Sequence, residues 1–193
     1  MKVYQLKIQL EPNYIKPPIW RRILVKSNIS FMDLHKIIQV TMGWENAHLW
    51  SFDYENYTIS KPSKFDDFRD TIDANTLKLS EVLKKVKSKI SYTYDFGDGW
   101  DHIITLEKIL EVVDINQKLP TCIKGKRACP PEDCGGTWGY EELLNTISDK
   151  KHPEHEEMIE WLGGGFDPEE FDIDDINDCL HDKGCWEDLG SFF

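Results

Sequence analysis

Apolar and polar residues alternate along the N-terminal stretch, and this alternation predicts a β-strand. Tyr4, Leu6, Ile8 and Leu10 recur at a period of two, with polar residues between them. That period is typical of a strand with one buried face. A second strand is predicted over residues 19–26. We expect the two strands to pair as an antiparallel hairpin.

The period changes to that of a helix after Ser30. Ser30 and Asp33 have the spacing of a capping box, in which each side chain bonds the other residue's backbone. Apolar residues from Leu34 to Met42 lie on one helical face, and Gly43 provides the stop. The sequence therefore predicts a capped amphipathic helix that packs on the sheet.

The rest of the chain continues with strands and ends with helices. Strands are predicted over 49–54, 57–59, 90–96 and 100–111, helices over 80–86, 139–148 and 153–162 with a last one after Asp172, and a charged loop over 61–75. The first 115 residues thus follow a β-β-α-β-β-α-β-β order. Sequential strands with short links favour antiparallel pairing. The predicted class is α+β, an antiparallel β-sheet layer followed by a C-terminal group of helices.

The length of 193 residues is that of one domain. We expect a single α+β domain over 1–193. Residues 1–115 form its sheet with two helices, 116–137 a loop rich in proline, glycine and cysteine, and 138–193 an acidic helical part.

Charge is distributed unevenly between these parts. Residues 1–129 contain 20 Lys and Arg against 16 Asp and Glu, whereas residues 130–193 contain 3 against 19. The acidic third repels nucleic acid, and it offers a surface to a basic protein partner or keeps the protein soluble.

Hydropathy and cysteine spacing indicate the compartment. No apolar run reaches the roughly 18 residues that span a bilayer, and the N-terminus lacks the apolar core of a signal peptide. We therefore expect a cytoplasmic protein without membrane contact. Its five cysteines contain no C-x-x-C pair and are expected to be reduced.

A first cluster of polar side chains lies at the turn of the predicted hairpin over 90–111. Asp95, Asp98, Asp101 and His102 surround the Gly97-Asp-Gly99 turn. Carboxylates with a neutral imidazole suit zinc, manganese, iron or nickel. Asp98 has an alternative interpretation, as a turn residue that bonds nearby amides.

A second cluster lies in the segment Cys129-Pro-Pro-Glu-Asp-Cys-Gly-Gly136. Its prolines stiffen a loop that carries Glu132, Asp133 and Cys134. The alternative is a connector in which Glu132 or Asp133 caps the following helix.

If the two clusters meet, they form one polar site, which His48 could join. The candidate metal ligands are His48, Asp98, His102 and Cys134, and the metal would be a divalent transition metal such as zinc, manganese or nickel. Asp95, Glu132 and Asp133 are candidates for a catalytic base or a supporting carboxylate.

A separate surface is suggested by Arg21 and Arg22, with Trp100 as a further candidate. Such arginines could contact phosphate. They also commonly stack on aromatic rings or pair with carboxylates. Periodicity leaves open whether Trp100 is buried.

Several motifs in order carry a family resemblance. They are the segments 15–25, 34–35 with 42–44, 48–49 with Phe52, 94–102, 129–136 with 139–140, and 166–168 with 171–172. Together they make the chain similar to the plasmid pRiA4b ORF-three-like family, some of whose members are labelled passenger proteins of insertion elements. The family's histidine-leucine-histidine pattern stands here as His48-Leu49-Trp50.

The sequence and the resemblance lead to three functional hypotheses. The first is an accessory or binding protein associated with plasmids or mobile elements, with a polar His/Asp/Cys site for a divalent metal. The second is a metal-dependent hydrolase of phosphoesters, which an open coordination position would favour. The third is a nucleic-acid-binding protein, which requires Arg21, Arg22 and the 124–127 cluster to share one face away from the acidic helices.

Overall fold

One large sheet organises the protein. The computed structural model describes residues 2–11, 15–62, 71–111, 118–182 and 184–185. The strands are β1 (Lys2–Leu10), β2 (Trp20–Lys26), β3 (Trp50–Tyr54), β4 (Tyr57–Ser60), β5 (Thr71–Asp73), β6 (Lys89–Tyr94), β7 (Trp100–Glu111) and β8 (Thr121–Lys126). The helices are α1 (Phe31–Met42), α2 (Leu79–Val82), α3 (Gly136–Ser148), α4 (His155–Trp161) and α5 (Ile173–His181).

The strands lie in the order β5-β4-β3-β6-β7-β1-β2-β8. All neighbours pair antiparallel except β4 and β5, which pair parallel. The predicted mixture of a mostly antiparallel sheet and helices is confirmed, and the predicted element order is wrong in detail. Long central strands such as β1 and β7 explain why the sheet is visible in the sequence.

Two strands fall where loops were predicted. β5 is three residues long and lies inside the predicted loop over 61–75, of which residues 63–70 are outside the described part of the chain. β8 lies inside the predicted 116–137 loop, and its burial pattern does not alternate because its pairing with β2 shifts register between Arg22 and Ile23. Neither strand therefore has a readable period of its own.

The core lies between one face of the sheet and the helices. Leu6, Ile8 and Ile104 are fully buried on that face, where Phe31 and Leu34 of α1 join them. The predicted start of α1 is confirmed, because the capping box at its first turn has both of its hydrogen bonds, at 3.0 and 2.9 Å. Its predicted stop is confirmed as well by Gly43, whose backbone is left-handed with φ +88°.

Helix α5 closes the β8 edge of the sheet. The Asn177 side chain accepts a hydrogen bond from the Cys122 backbone N–H at 2.8 Å and donates one to the Cys122 carbonyl at 2.9 Å. A side-chain amide thus satisfies both backbone groups that an edge strand would otherwise leave unpaired.

Near the C-terminal end of α5, the structure contradicts the expectation that the cysteines are reduced. Cys179 on α5 is bonded to Cys185 as a disulfide, across a Cα–Cα distance of 5.4 Å. That distance falls within the range that disulfides span. Cys122, Cys129 and Cys134 are free thiols.

Within the described ranges, every helix is too short or too polar to cross a bilayer.

Replacing the side chain that closes the β8 edge should destabilise the protein. Asn177→Ala is expected to lower the free energy of unfolding by about 2 kcal/mol, because the buried N–H and C=O of Cys122 lose their partners. Urea unfolding followed by tryptophan fluorescence measures the change. Asp178→Ala, at an exposed position of the same helix, is the control. Equal losses in the two variants would show that the contact contributes nothing to the edge.

Candidate functional site

Three connections meet at one end of the sheet and form the candidate site. They are the 43–49 loop between α1 and β3, the 95–99 turn between β6 and β7, and the 127–135 loop between β8 and α3. The first two come together because β3 pairs with β6, and the Asp95 N–H donates to the Leu49 carbonyl at 2.9 Å. The two predicted clusters are therefore adjacent.

Glu132 ties the 127–135 loop to the other two. Its Oε1 atom accepts two hydrogen bonds, one from the Glu45 backbone N–H at 2.7 Å and one from the Tyr94 hydroxyl at 2.9 Å. The Trp44 indole N–H donates to the Pro130 carbonyl at 3.1 Å on the same side. Burial, followed by the Glu132 charge, raises the pKa of Tyr94, so the hydroxyl remains a donor.

His48 lies at the centre of the carboxylates that these connections supply. Its Nδ1 atom is 3.6 Å from Asp95 Oδ2, and its Nε2 atom is 3.2 Å from Glu132 Oε2 and 3.3 Å from Asp133 Oδ1. The Nε2 atom is shielded from solvent, yet its direction suits no hydrogen bond to either carboxylate. The oxygens thus surround the ring nitrogen without engaging it as hydrogen-bond acceptors.

Both aspartates at His48 adopt backbone conformations that side chains usually avoid. Asp95 has φ +55° and Asp133 has φ +56°. Aspartate tolerates this left-handed region better than most residues. The Asp95 Oδ1 atom also accepts a hydrogen bond from the Gly97 N–H at 2.8 Å, which leaves Oδ2 directed at His48.

Ligand atoms of His48, Asp95 and Asp133 all lie within 4.8 Å of one another. Among the described residues, this is the one such group of three metal-ligating side chains. A nitrogen donor with carboxylate oxygens suits zinc, manganese, iron or nickel. Three protein ligands leave coordination positions for water or another molecule.

A buried polar network holds the 43–49 loop in place. The His35 Nε2 atom lies 2.8 Å from Asn46 Oδ1 and its Nδ1 atom 2.9 Å from the Tyr92 hydroxyl, while the Asn46 N–H donates to Gln39 Oε1 at 2.9 Å. Trp50 stacks on the His35 ring at 3.9 Å between centroids. Burial lowers the pKa of His35 to about 3, so the imidazole is neutral and fixes Asn46, two residues before His48.

The 127–135 loop approaches the 95–99 turn closely. A Cβ atom at Gly136 would lie 2.5 Å from the Asp98 carbonyl oxygen, and Gly136 has φ +68°. Only glycine fits there. The Asp98 carboxylate accepts a hydrogen bond from the Gly135 N–H at 3.1 Å.

The predicted ligands are placed differently from one another. His48 is in the three-residue group, whereas Asp98, His102 and Cys134 are outside it. The Asp98 carboxylate bonds the backbone amide of Gly135 in the 127–135 loop, and not an amide of its own turn as the alternative interpretation expected. Burial, followed by the Asp98 charge, raises the pKa of the Cys134 thiol to about 12. The predicted base Asp95 and the predicted carboxylate Asp133 take the positions beside His48 instead.

His102 does not project from the hairpin tip, as its place in the sequence suggested. It is buried among aromatic rings, with its centroid 5.3 Å from that of Trp44 and 5.4 Å from that of Tyr92. The cause is strand parity, because His102 pairs with Tyr92, whose side chain faces the core.

The predicted binding surface of Arg21, Arg22 and Trp100 is also corrected. Trp100 is 1% exposed and belongs to the core, and Arg21 is 2% exposed. The Arg21 guanidinium donates to the Thr41 carbonyl at 2.6 Å and lies over the Phe171 ring, as the aromatic-stacking alternative describes. Arg22 points to the opposite face and pairs with Glu107.

Sequence reasoning missed the residues that support the site rather than line it. The Tyr94 hydroxyl bonds Glu132, and this contact depends on a loop distant in sequence. The sequence did contain a signal for these supporting residues, because Trp44 and Asn46 directly follow the predicted stop of α1.

The buried His102 should make the protein sensitive to acid. Burial lowers its pKa from 6.5 to about 4, so the unfolded chain takes up a proton at higher pH than the folded protein does. Its stabilising contribution is therefore complete above about pH 6.5 and decreases as the pH falls to about 4.

We expect the wild type to lose about 2 to 3 kcal/mol more than His102→Leu between about pH 7.5 and about pH 4.5. Urea unfolding at both pH values measures the difference. His35 is present in both proteins, so its own contribution to the pH dependence of stability cancels in the comparison. Identical pH dependences would show that His102 is not buried as a neutral imidazole. His102→Phe replaces the leucine variant if that variant does not fold.

Comparisons with known proteins agree with the resemblance found in the sequence. The family described as plasmid pRiA4b ORF-3-like protein matches residues 2–175. An uncharacterized protein of Sinorhizobium fredii, y4hQ, is 33% identical over 183 residues, which cover 93% of this chain and 91% of that protein. The crystal structure of MM3350, a protein of unknown function from Methanosarcina mazei, is 42% identical with a TM-score of 0.81, covering 90% of this chain and 97% of that one. The chain therefore belongs to the plasmid pRiA4b ORF-3-like family.

Proposed function

We propose that this protein binds a divalent transition metal at His48, Asp95 and Asp133, with Glu132 as a supporting carboxylate. The observation that carries the proposal is the convergence of three ligand atoms within 4.8 Å from three separate connections. Zinc and manganese are the ions that this donor set suits best, because it combines one imidazole with carboxylates.

Charge gives the first argument for a cation. Asp95, Glu132 and Asp133 all approach one imidazole within 3.6 Å. Among the ion pairs of the described residues, no lysine or arginine contacts these three carboxylates. Like charges held this close repel one another, and a divalent cation removes the repulsion.

Support around the ligands gives the second argument. Glu132 is fixed by the Glu45 amide and the Tyr94 hydroxyl, and Asp95 by the Gly97 amide. Metal-ligating groups are usually oriented in this way by further hydrogen bonds. The same bonds hold the carboxylates in place before an ion arrives.

The open side of the site favours a second candidate function, hydrolysis. The Asp133 side chain is 74% exposed, so the group of ligands is accessible from solvent. A bound divalent ion supplies a hydroxide nucleophile from water and polarises a phosphoryl oxygen. Glu132, which is the supporting carboxylate and not one of the three ligands, lies 3.2 Å from His48 Nε2 and could accept the proton of the attacking water. An association with plasmids or mobile elements remains a prediction from the resemblance.

Metal binding should depend on His48. His48→Ala is expected to weaken zinc or manganese binding by at least about 100-fold, since it removes the only nitrogen donor of the group. Isothermal titration with tag-free protein treated with chelator measures the affinity. His152→Ala, which removes a histidine distant in sequence from the group, is the control. Equal affinity of the wild type and His48→Ala would refute the proposal.

Removing the charge of the exposed Asp133 should change the thermal stability of the metal-free protein and its response to metal in opposite directions. Asp133→Asn is expected to leave the thermal stability of the metal-free protein unchanged or raise it, because one repelling charge is removed. It should reduce the rise in stability on adding metal, which for a bound ligand reaches about 2.7 kcal/mol at 100 times its Kd. Thermal unfolding with and without zinc or manganese measures both. A lower stability of the metal-free variant together with an unchanged response to metal would contradict the assignment.

The hydrolase candidate has a separate test. Protein reloaded with zinc or manganese is assayed against p-nitrophenyl phosphate and bis(p-nitrophenyl) phosphate. A rate that requires metal, disappears in His48→Ala and persists in His152→Ala supports hydrolysis. Stoichiometric metal without turnover of either ester rejects this candidate and retains the metal-binding proposal.

A further inference from the structure

The sheet face opposite the helices carries a row of basic side chains. Lys7 on β1 pairs in register with Arg22 on β2 and Thr105 on β7, Arg22 pairs with Lys124 on β8, and Thr105 with Lys89 on β6. Residues paired in this way point to the same face of a sheet. We call Lys124, Arg22, Lys7, Thr105 and Lys89 the basic row. It crosses five strands, about 19 Å at the usual spacing of ~4.8 Å.

Within the described part of the chain, one of the four cations of the basic row forms an ion pair. Arg22 pairs with Glu107 through two hydrogen bonds of 2.6 and 2.9 Å. Lys7, Lys89 and Lys124 form none, although the Lys7 charge helps to lower the pKa of Glu107. Like charges directly opposite one another destabilise a sheet. A bound polyanion would relieve that repulsion.

Aromatic and apolar groups lie beside these cations. Trp20 is on the same face as Arg22, two residues away on β2, and pairs with Lys126. The Lys7 ammonium and the Arg22 guanidinium lie 5.5 and 5.0 Å from the centroid of the Trp20 ring.

A groove continues this surface toward the start of β6. Its lining includes Arg22 and Thr105 of the basic row, two more lysines at positions 87 and 108, and the apolar side chains of Val86 and Ile123. Val86 is 45% exposed and Ile123 39% exposed. The surface thus offers apolar contacts next to positive charge.

Helices α3 and α5 of the acidic part of the chain pack against the inner face of the sheet, and α5 also reaches its β8 edge. Tyr140 of α3 and Leu180 of α5 are buried in the core between helices and sheet. Residues 130–193, with 19 acidic against 3 basic residues, include these helices. The condition that the sequence set for nucleic-acid binding is not met in full, because Arg21 and Arg127 are buried. Arg22, Lys124 and Lys126 do share the outer face of the sheet.

We infer that this sheet face binds single-stranded nucleic acid. Lys7, Lys89 and Lys124 contact backbone phosphates, while bases or sugars lie on the apolar surface of Val86 and Ile123. Sheets that combine aromatic stacking platforms with basic side chains bind unpaired strands, and Trp20 is an aromatic ring on this face. A duplex is a poorer fit, because its major groove admits a helix or a two-stranded ribbon and this face is five strands wide.

The experiment measures the binding of fluorescein-labelled poly-dT and poly-U of about 20 nucleotides by anisotropy, over a range of salt concentrations. The test variant is K7Q/K89Q/K124Q. The matched control is K61Q/K150Q/K151Q, which removes the same charge at three exposed lysines outside the basic row and outside the groove. K7R/K89R/K124R restores the charge, and circular dichroism confirms that each variant is folded.

The wild type and the control should bind, with log K falling as log salt rises. The test variant should bind on the order of 100-fold more weakly at about 50 mM salt. The slope of log K against log salt should be smaller by about 2, because each of the three phosphate contacts on a single strand contributes about 0.7 to it. The arginine variant should bind like the wild type.

Absence of binding by the wild type at low salt would overturn the inference, as would an equal loss in the control. The inference would also be overturned if a duplex of the same length, or polyglutamate, bound as tightly as the single strands. The face would then recognise negative charge alone and not an unpaired strand. The metal site plays no part in these measurements.

Discussion

The contact between Glu132 and the 43–49 loop determines whether the candidate site exists. The 127–135 loop follows the short edge strand β8, and it reaches the 95–99 turn across the end of the sheet. The Glu45 amide, the Tyr94 hydroxyl and the Trp44 indole fix it there. Without these bonds, Asp133 would have no fixed position relative to His48. The geometry of the ligands is therefore a property of the tertiary packing and not of any single loop.

That packing places negative charge where, among the described residues, no lysine or arginine forms an ion pair with it. Three carboxylates at one imidazole are costly to hold together, and the backbone at Asp95 and Asp133 adds conformational strain. Such costs persist only where surrounding structure enforces them. Here the enforcement comes from the neutral His35 network and from the close approach of Gly136 to Asp98. These unfavourable terms are accounted for if the site binds a cation, because the attraction between the cation and the carboxylates then replaces the repulsion between the carboxylates.

The sequence revealed the features that depend on local pattern and missed those that depend on distant contacts. The capping box of α1, the stop at Gly43 and the long strands follow from spacing alone. The β8 strand depends on its pairing with β2 and on Asn177, so its own residues carry little signal. The two segments that the sequence singled out lie next to each other in the structure. Which carboxylates face His48 could not be predicted, because a single left-handed residue such as Asp95 changes the direction of its side chain.

Strand parity also explains how one chain combines two surfaces of opposite charge. Successive side chains of a strand point to opposite faces, so Arg21 enters the core and Arg22 the solvent-facing row. The same rule places Lys7 outside, between the buried Leu6 and Ile8. Because residues 130–193, which include α3, α4 and α5, carry 19 of the 35 acidic residues, the net charge of −12 conceals a basic sheet face and an acidic helical part. A polyanion approaching the basic row is separated from α3 by the thickness of the sheet and the core, whereas α5 contacts Cys122 at the β8 edge, two residues before Lys124. At physiological salt the repulsion from charges beyond a Debye length of about 8 Å is largely screened.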